Sequence, residues 1–183
     1  MSRINAVNKE KATPKVKEIF HQLESKLGKT PNIFLNLGNS EAALQGFMSL
    51  SDAANHTSID QKLREKIALL VAQTNNCNYC LSAHSAIAKT LGIQDEDILK
   101  ARECQAKDPK SQAILKFSKI VVDKKGHVSD QDVTTMKDAG VTDKELTEIM
   151  LLISLNMFSN YFNHVTDPKI DFPVAPTLTL THK

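Results

Sequence analysis

The chain has 183 residues, of which 41% are hydrophobic and 24% are charged, and 23 Lys and Arg against 21 Asp and Glu leave a formal net charge of +2 at pH 7. This length and composition predict a single globular domain and exclude collagen-like, disordered and disulfide-scaffold proteins. The near balance of charges, with 5% aromatic residues and no Trp, gives no electrostatic argument for a nucleic-acid partner.

Two features bear on location and redox state. The sequence has no run of about 18 apolar residues, the length that spans a bilayer, and residues Met1–Asn5 do not begin an apolar secretion signal. We therefore expect a cytoplasmic protein with no membrane partner. The three cysteines are an odd number, and in a reducing compartment a cysteine pair is more typical of redox chemistry or metal binding than of a structural disulfide framework.

Helical periodicity of apolar residues dominates the chain, and capping residues mark where each helix begins and ends. Thr13, for example, is a typical N-cap before Pro14, and Gly28 is a typical end. The predicted helical segments run, in chain order, from Pro14 to Gly28, Pro31 to Leu37, Ser40 to at least Leu50, Asp60 to Asn75, Cys77 to Leu91, Asp95 to Cys104, Pro109 to Gly126, Ser129 to Gly140 and Thr142 to about His164.

The end of the chain changes character after the last predicted helix. That helix is apolar nearly all round between Ile149 and Phe158, which predicts that it is buried on every side, in the centre of the bundle or in an oligomer interface. Three prolines then exclude continuous helix, and residues 167–183 are predicted to be an extended tail that docks on a neighbour or stays loose. No strand alternation stands out, so we predict an all-α fold, with a helical domain over residues 1–166 followed by the tail.

A weak internal similarity relates two parts of the chain at an offset of 83 residues. The matching residues in the two parts are Asp60, Leu63, Glu65 and Leu69 in the first, and Asp143, Leu146, Glu148 and Leu152 in the second. At this offset Asn160 and Asn163 occupy the positions of Cys77 and Cys80. The similarity is thin, and either a duplication or chance accounts for it.

The segment around the cysteine pair carries the chemistry. On a helical wheel that starts at Cys77, the predicted buried arc contains Cys80 and His84 as well as Leu81, Ile87, Ala88 and Leu91, whereas Asn78, Ser82, Ser85 and Lys89 lie outside it. Cys77 begins the helix, where free N–H groups and the helix dipole favour a thiolate. Cys80 is within disulfide reach of Cys77, and His84 is one turn further on, where it can take a proton from Cys80 directly or through one water.

Glu65 is the candidate partner of this histidine. If Asn75 and Asn76 form a tight helical hairpin, Glu65 lies opposite Ala86, level with His84, and can orient the imidazole and keep it basic. Alternatively, Glu65 is a solvated residue that pairs with a lysine of its own helix.

A pair of cysteines two residues apart also occurs in haem, thioredoxin-like and zinc sites, which differ in what else they require. A c-type haem site needs His directly after the second cysteine, where this chain has Leu81, and a thioredoxin-like motif needs a βαβ pattern that is absent. A zinc site needs a fourth ligand besides Cys77, Cys80 and His84. An inert buried pair is the remaining structural alternative.

The spacing Glu65, eleven residues, Cys77, two residues, Cys80, three residues, His84 resembles the alkylhydroperoxidase D-like branch of the carboxymuconolactone decarboxylase superfamily. The motif covers about 20 residues, and a looser resemblance extends from Pro31 to His164. It implies an all-helical fold and a homo-oligomer, a hexamer being favoured over a trimer. It also implies an antioxidant enzyme, a thiol-dependent peroxidase that reduces hydroperoxides and disulfides with a redox-active disulfide in place of a bound cofactor or metal.

The resemblance also implies a role for each residue. Cys80 attacks the peroxide and becomes a sulfenic acid, and Cys77 condenses with it to a disulfide. Glu65 and His84 form the proton relay, and an external dithiol donor, of the lipoyl type, reduces the disulfide at Cys77. Some members carry a second His between the two cysteines, where this chain has Tyr79, so Tyr79 is a possible auxiliary proton carrier and slower peroxide reduction is expected.

Two alternatives remain open. In the first, the pair is a non-catalytic redox sensor or interaction module, which a single stoichiometric oxidation would distinguish from turnover. In the second, the chain is a small zinc-binding domain. Cys104 is interpreted as a spectator.

Overall fold

The computed structural model describes residues 2–178, and these contain helices and loops with no strand. This confirms the all-α prediction. The helices are α1 (Pro14–Leu27), α2 (Asn32–Leu37), α3 (Glu41–Asn55), α4 (Gln61–Thr74), α5 (Asn78–Thr90), α6 (Asp95–Arg102), α7 (Pro109–Asp123), α8 (Asp130–Asp138) and α9 (Asp143–Thr166). A short 3-10 turn, Lys9–Lys11, precedes α1 and was not predicted.

The predicted caps set the helix boundaries. The side chain of Thr13 accepts a hydrogen bond from the Val16 amide, and Gly28 ends α1 in the left-handed conformation with φ 73°. Thr142 and Glu145 form a capping box at the start of α9. Because these side chains satisfy amide groups that have no partner inside the helix, the boundaries agree with the sequence to within a few residues.

The central helix of the bundle is α4, not α9 as the sequence pattern suggested. Residues 67–72 of α4 are all buried, because the helix packs against α5, α6, α7 and α9. The last helix instead leaves one face uncovered, and its Met150, Phe158, Tyr161 and Val165 are exposed. The apolar composition of α9 therefore does not bury it within one chain.

Among the described residues, three apolar clusters include parts of α4. The largest joins Ile67, Leu70 and Val71 of α4 to α7, α8 and the first half of α9, and a small one joins Leu69 to Ala88, Ile93 and Ile98. The second in size contains the buried apolar residues of α1 and α2 and Leu44 of α3, together with Ala72, Cys77, Cys80 and Leu81. The cysteine pair therefore lies in the packing interface between the N-terminal helices and the α4–α5 hairpin.

The first part of the C-terminal tail docks on its own chain. Residues 167–178 form no helix, which agrees with the three prolines of the tail. The Ala175 amide donates to Ser82 Oγ at 3.1 Å, and Arg102 donates to the Pro176 carbonyl at 2.8 Å. The last part of the predicted tail, residues 179–183, lies outside the described residues.

The buried face of α5 differs from the one predicted by the helical wheel. Ser82 and Ser85, placed outside the buried arc by the wheel, are buried, whereas Ile87 is exposed. The tail accounts for the burial of Ser82, whose hydroxyl is bonded to it.

Within residues 2–178, no helix is both long enough and apolar enough to cross a membrane.

Candidate active site

The hairpin between α4 and α5 positions the thiols. Asn76 has φ 56°, in the left-handed region that Asn tolerates better than most residues, and this residue reverses the chain. The Cys77 amide then donates to the Ala72 carbonyl at 2.8 Å, which closes the turn. As a result Cys77 becomes the N-cap of α5 and Cys80 lies in the first helical turn.

The two cysteines are free thiols with almost no solvent exposure, 1% for Cys77 and 3% for Cys80. The Cys80 amide donates to Cys77 Sγ at 3.4 Å, so the first sulfur occupies the place that Ser or Asp usually takes at a helix N-terminus. Both sulfurs therefore lie on the inner side of α5, close to one another.

The surroundings favour a thiolate on Cys80. A hydrogen bond from the Cys77 thiol lowers the pKa of Cys80, against the opposing effect of burial, and the charge of His84 and the amides of Asn163 and Asn160 lower it further, to about 6. The same sharing of one proton raises the pKa of Cys77. At neutral pH these shifts favour the negative charge on the Cys80 sulfur and the shared proton on Cys77.

Glu65 lies beside His84. Its Oε2 is 2.8 Å from Nδ1 of the imidazole, with the two side chains 15% and 23% exposed respectively. Burial opposes protonation of His84, but the charge of Glu65, the hydrogen bond to it and the charge of Cys80 together raise the pKa of His84. In the described part of the chain no hydrogen bond joins His84 to either sulfur, so the imidazole acts on Cys80 through its charge.

Helix α9 adds two residues to which the sequence reasoning gave no role. Asn163 donates from Nδ2 to Cys80 Sγ at 3.2 Å, and Asn160 accepts at Oδ1 from Asn75 Nδ2 at 2.9 Å. Both asparagines are buried, 5% and 0% exposed. The available signal was their alignment with Cys80 and Cys77 at the offset of 83 residues.

The hydroxyl of Tyr79 is hydrogen-bonded to residues outside the cysteine pair. It accepts from the Ile33 amide at 3.2 Å and donates to Asp171 Oδ1 at 2.7 Å. Burial raises the pKa of Tyr79, and the nearby Asp171 carboxylate raises it further. The hydroxyl therefore ties α2 and the tail to α5.

Among residues 2–178, no group of three or more His, Cys, Asp and Glu side chains is placed to hold a metal ion. Cys104 lies apart, at the end of α6, where burial raises the pKa of its thiol.

Comparison with known proteins identifies the fold. Residues 41–122 match the sequence profile of the Carboxymuconolactone decarboxylase family. The alkylhydroperoxidase AhpD core of a peroxidase-related protein from Ralstonia eutropha JMP134 superposes with a TM-score of 0.83 at 20% identity, covering 94% of this chain and 92% of that chain. This chain has the fold of the alkylhydroperoxidase AhpD core.

Two further proteins similar to this chain differ in what is known of them. YdfG of Bacillus subtilis (strain 168), whose function is uncharacterized, is 32% identical over 87 residues, which are 44% of this chain and 59% of that relative. A variant of the debrominase Bmp8 in complex with 2,3,4-tribromopyrrole gives a TM-score of 0.80 at 22% identity, with 93% of this chain and 94% of that chain covered. Proteins that share this fold therefore include a peroxidase-related protein and a debrominase, and the likeness in structure establishes the fold alone.

Proposed function

We propose that this chain is a thiol-dependent antioxidant oxidoreductase that reduces hydroperoxides, and also disulfides, through Cys77 and Cys80. The observation that carries the proposal is the environment of Cys80, which stabilises a thiolate beside a second, protonated thiol. The His84–Glu65 pair next to it supplies a charged proton carrier.

The first step transfers one oxygen atom to sulfur. The Cys80 thiolate attacks the terminal oxygen of R–O–OH, so an S–O bond forms and the O–O bond breaks. Sulfur loses two electrons, and the peroxide gains them and leaves as RO⁻. His84 donates the proton that converts RO⁻ to ROH, and Glu65 stabilises the imidazolium before the transfer.

The second step closes the disulfide. The Cys77 sulfur attacks the sulfenic sulfur of Cys80, an S–S bond forms, and the hydroxyl leaves as water with the Cys77 proton. An external dithiol of the lipoyl type then restores both thiols by exchange and is itself oxidised to its disulfide. Such a cycle suits the cytoplasm, where thiols are kept reduced, and it needs no bound cofactor.

The uncovered face of α9 supports a proposal about assembly. Met150, Phe158, Tyr161 and Val165 form an apolar stripe that is 37% to 66% exposed, and Phe158 stacks on Phe47 with ring centroids 5.6 Å apart. An apolar stripe of this kind is typical of contacts between copies of a chain. We propose a homo-oligomer, with a hexamer favoured over a trimer, and light scattering measures the number of copies.

Peroxide turnover tests the function. With reduced lipoamide as donor, the protein should consume an organic hydroperoxide over many cycles, and Cys80→Ser should abolish the reaction. At limiting peroxide, the rate should rise with pH and level off above a midpoint near the Cys80 pKa of about 6, because the deprotonated sulfur is the reactive form.

Cys104→Ser is the matched control, since Cys104 is the remaining thiol and lies outside the site. It should keep the wild-type rate. A single oxidation per chain without turnover would indicate a redox sensor instead, and full activity of Cys80→Ser would end the proposal.

A further inference from the structure

Two buried polar atoms of α9 lack a hydrogen-bond partner among the described residues. They are Asn160 Nδ2, a donor, and Asn163 Oδ1, an acceptor. A third such atom, Ser85 Oγ, lies five residues after Cys80 on a different face of α5. A buried amide group without a partner costs about 1–3 kcal/mol, and nearly all such groups in native proteins are bonded.

The orientation of each amide is fixed by the bond that its other end makes. Asn160 accepts at Oδ1 from Asn75, so its Nδ2 is turned away from Asn75. Asn163 donates from Nδ2 to Cys80 Sγ at 3.2 Å, which leaves Oδ1 beside the sulfur. Both amides contribute to the lowered pKa of Cys80, as groups within hydrogen-bonding reach of the thiolate.

We propose that Asn160 and Asn163 form an amide cradle that binds the oxygen atom transferred to Cys80, first as the terminal O–H of a hydroperoxide and then as the hydroxyl of the sulfenic acid. This inference rests on the proposed function. The two unpaired atoms complement one hydroxyl group: its oxygen accepts from Asn160 Nδ2, and its hydrogen donates to Asn163 Oδ1.

The cradle assigns different roles to the two amides. Asn163 is already bonded to the sulfur, so it also stabilises the thiolate before the peroxide arrives. Asn160 also helps to lower the pKa of Cys80, but its Nδ2 has no hydrogen-bond partner until an oxygen is present. The ligand class is therefore a hydroperoxide, whose reacting end is a hydroxyl, and a reagent without that hydroxyl benefits from Asn160 only through the fraction of thiolate.

The test compares an oxygen-transferring reagent with one that transfers no oxygen. In a Cys77→Ser background, where oxidation stops at the sulfenic acid, the rate constants of Cys80 with cumene hydroperoxide and with iodoacetamide are measured at one pH. Their ratio cancels the fraction of thiolate, because both reagents need it. Asn160→Leu should lower the ratio about tenfold or more, whereas Asn163→Leu should lower both rates and also move the pH midpoint of alkylation upward.

Asn156→Leu is a matched control. Asn156 is also 5% exposed on α9, one turn before Asn160, and its amide bonds only to the Leu152 carbonyl of its own helix. The same substitution there should leave the ratio within about twofold even if the melting temperature falls. If Asn160→Leu does not fold, Asn75→Ala, which frees the Asn160 amide to rotate, should lower the ratio in the same direction.

An unchanged ratio in Asn160→Leu, or in Asn75→Ala where that variant replaces it, would overturn the cradle, as would equal losses with Asn156→Leu. These outcomes are distinct from failure of the proposed function. That failure would appear in the parent protein as alkylation of Cys80 with no reaction toward hydroperoxide, and it would remove the cradle as well.

Discussion

The hairpin α4–α5 and the long helix α9 occupy corresponding stretches of sequence and meet at the site. At the offset of 83 residues, Cys80 corresponds to Asn163, and these two residues touch, with Nδ2 donating to Sγ at 3.2 Å. One stretch therefore supplies the sulfur that we propose as the nucleophile, and the other supplies an amide that donates a hydrogen bond to it. The two aligned residues therefore differ in their chemistry, although both lie at the same site.

The backbone differs between the two stretches in a way that bears on the proposed reactivity of Cys80. In the first, Asn76 reverses the chain and Cys77 begins a new helix, so Cys80 lies beside free helical N–H groups. In the second, the corresponding residues Ser159 and Asn160 continue a helix of 24 residues. A sulfur at position 163 would lie near the C-terminal end of α9, where the helix dipole disfavours an anion.

The two corresponding glutamates show the same divergence at equal burial. Glu65 and Glu148 are 15% and 16% exposed. Glu65 pairs with His84 in the site, whereas Glu148 accepts from the amide of Ser58 at 3.0 Å and from its hydroxyl, at the loop before α4. Burial alone therefore does not distinguish a residue of the site from a residue that fixes a loop.

The largest effect is expected at Cys77, whose counterpart is Asn160. Cys77→Ser should remove the resolving sulfur, so peroxide turnover should fall about a hundredfold or more while one equivalent is still consumed per chain. Mass spectrometry with dimedone should detect the sulfenic acid on Cys80.

The companion variant separates chemistry from helix capping. The serine hydroxyl can accept a hydrogen bond from the Cys80 amide, as Cys77 Sγ does. Cys77→Ser should therefore unfold at the wild-type temperature, whereas Cys77→Ala should lose about 1 kcal/mol of stability. Sustained turnover in Cys77→Ser would mean that another thiol resolves the sulfenic acid.

The glutamate pair gives a second comparison. Glu65→Gln removes the charge that raises the pKa of His84, which in turn weakens the imidazolium's effect on Cys80. The pKa of Cys80 should rise, so the acid limb of the rate profile should move to higher pH and the rate at neutral pH should fall about tenfold.

Glu148→Gln is the control, at the same burial and in the corresponding position. It should keep the wild-type rate and pH profile and cost less than about 1 kcal/mol in denaturant unfolding, because the amide oxygen still accepts from Ser58. A shifted pH profile in this variant would show that Glu148 also acts on the site.

The sequence predicts the helices well because their signals are local. Thr13 and Thr142 cap α1 and α9 through bonds to residues three positions ahead. The hairpin prediction brings Glu65 level with His84 for a similar reason, since two asparagines leave room only for a tight reversal. Their roles remain predictions.

What the sequence could not give depends on contacts between distant segments. Ser82 is buried because the tail bonds to it from 93 residues away, and no wheel of α5 contains that information. The exposed face of α9 has the opposite cause, since its apolar pattern is the same whether a bundle or a second copy covers it. The partner of Tyr79 is equally distant, because Asp171 reaches it only after the tail has docked.

The smallest expected effect is on stability and concerns the turn between α4 and α5, where Asn76 corresponds to Ser159. Asn76→Ala should lower the free energy of unfolding by about 1 kcal/mol, because the left-handed conformation with φ 56° is unfavourable for alanine. Asn76→Gly should be nearly neutral, because glycine adopts this conformation readily. Ser159→Ala should change stability by at most a few tenths of a kcal/mol, since its hydroxyl bonds only to the Asn156 carbonyl of the same helix. Urea unfolding measures all three. Equal costs for Asn76→Ala and Ser159→Ala would mean that the left-handed residue does not hold the hairpin, and the placement of Cys77 at a helix N-terminus would then need another cause.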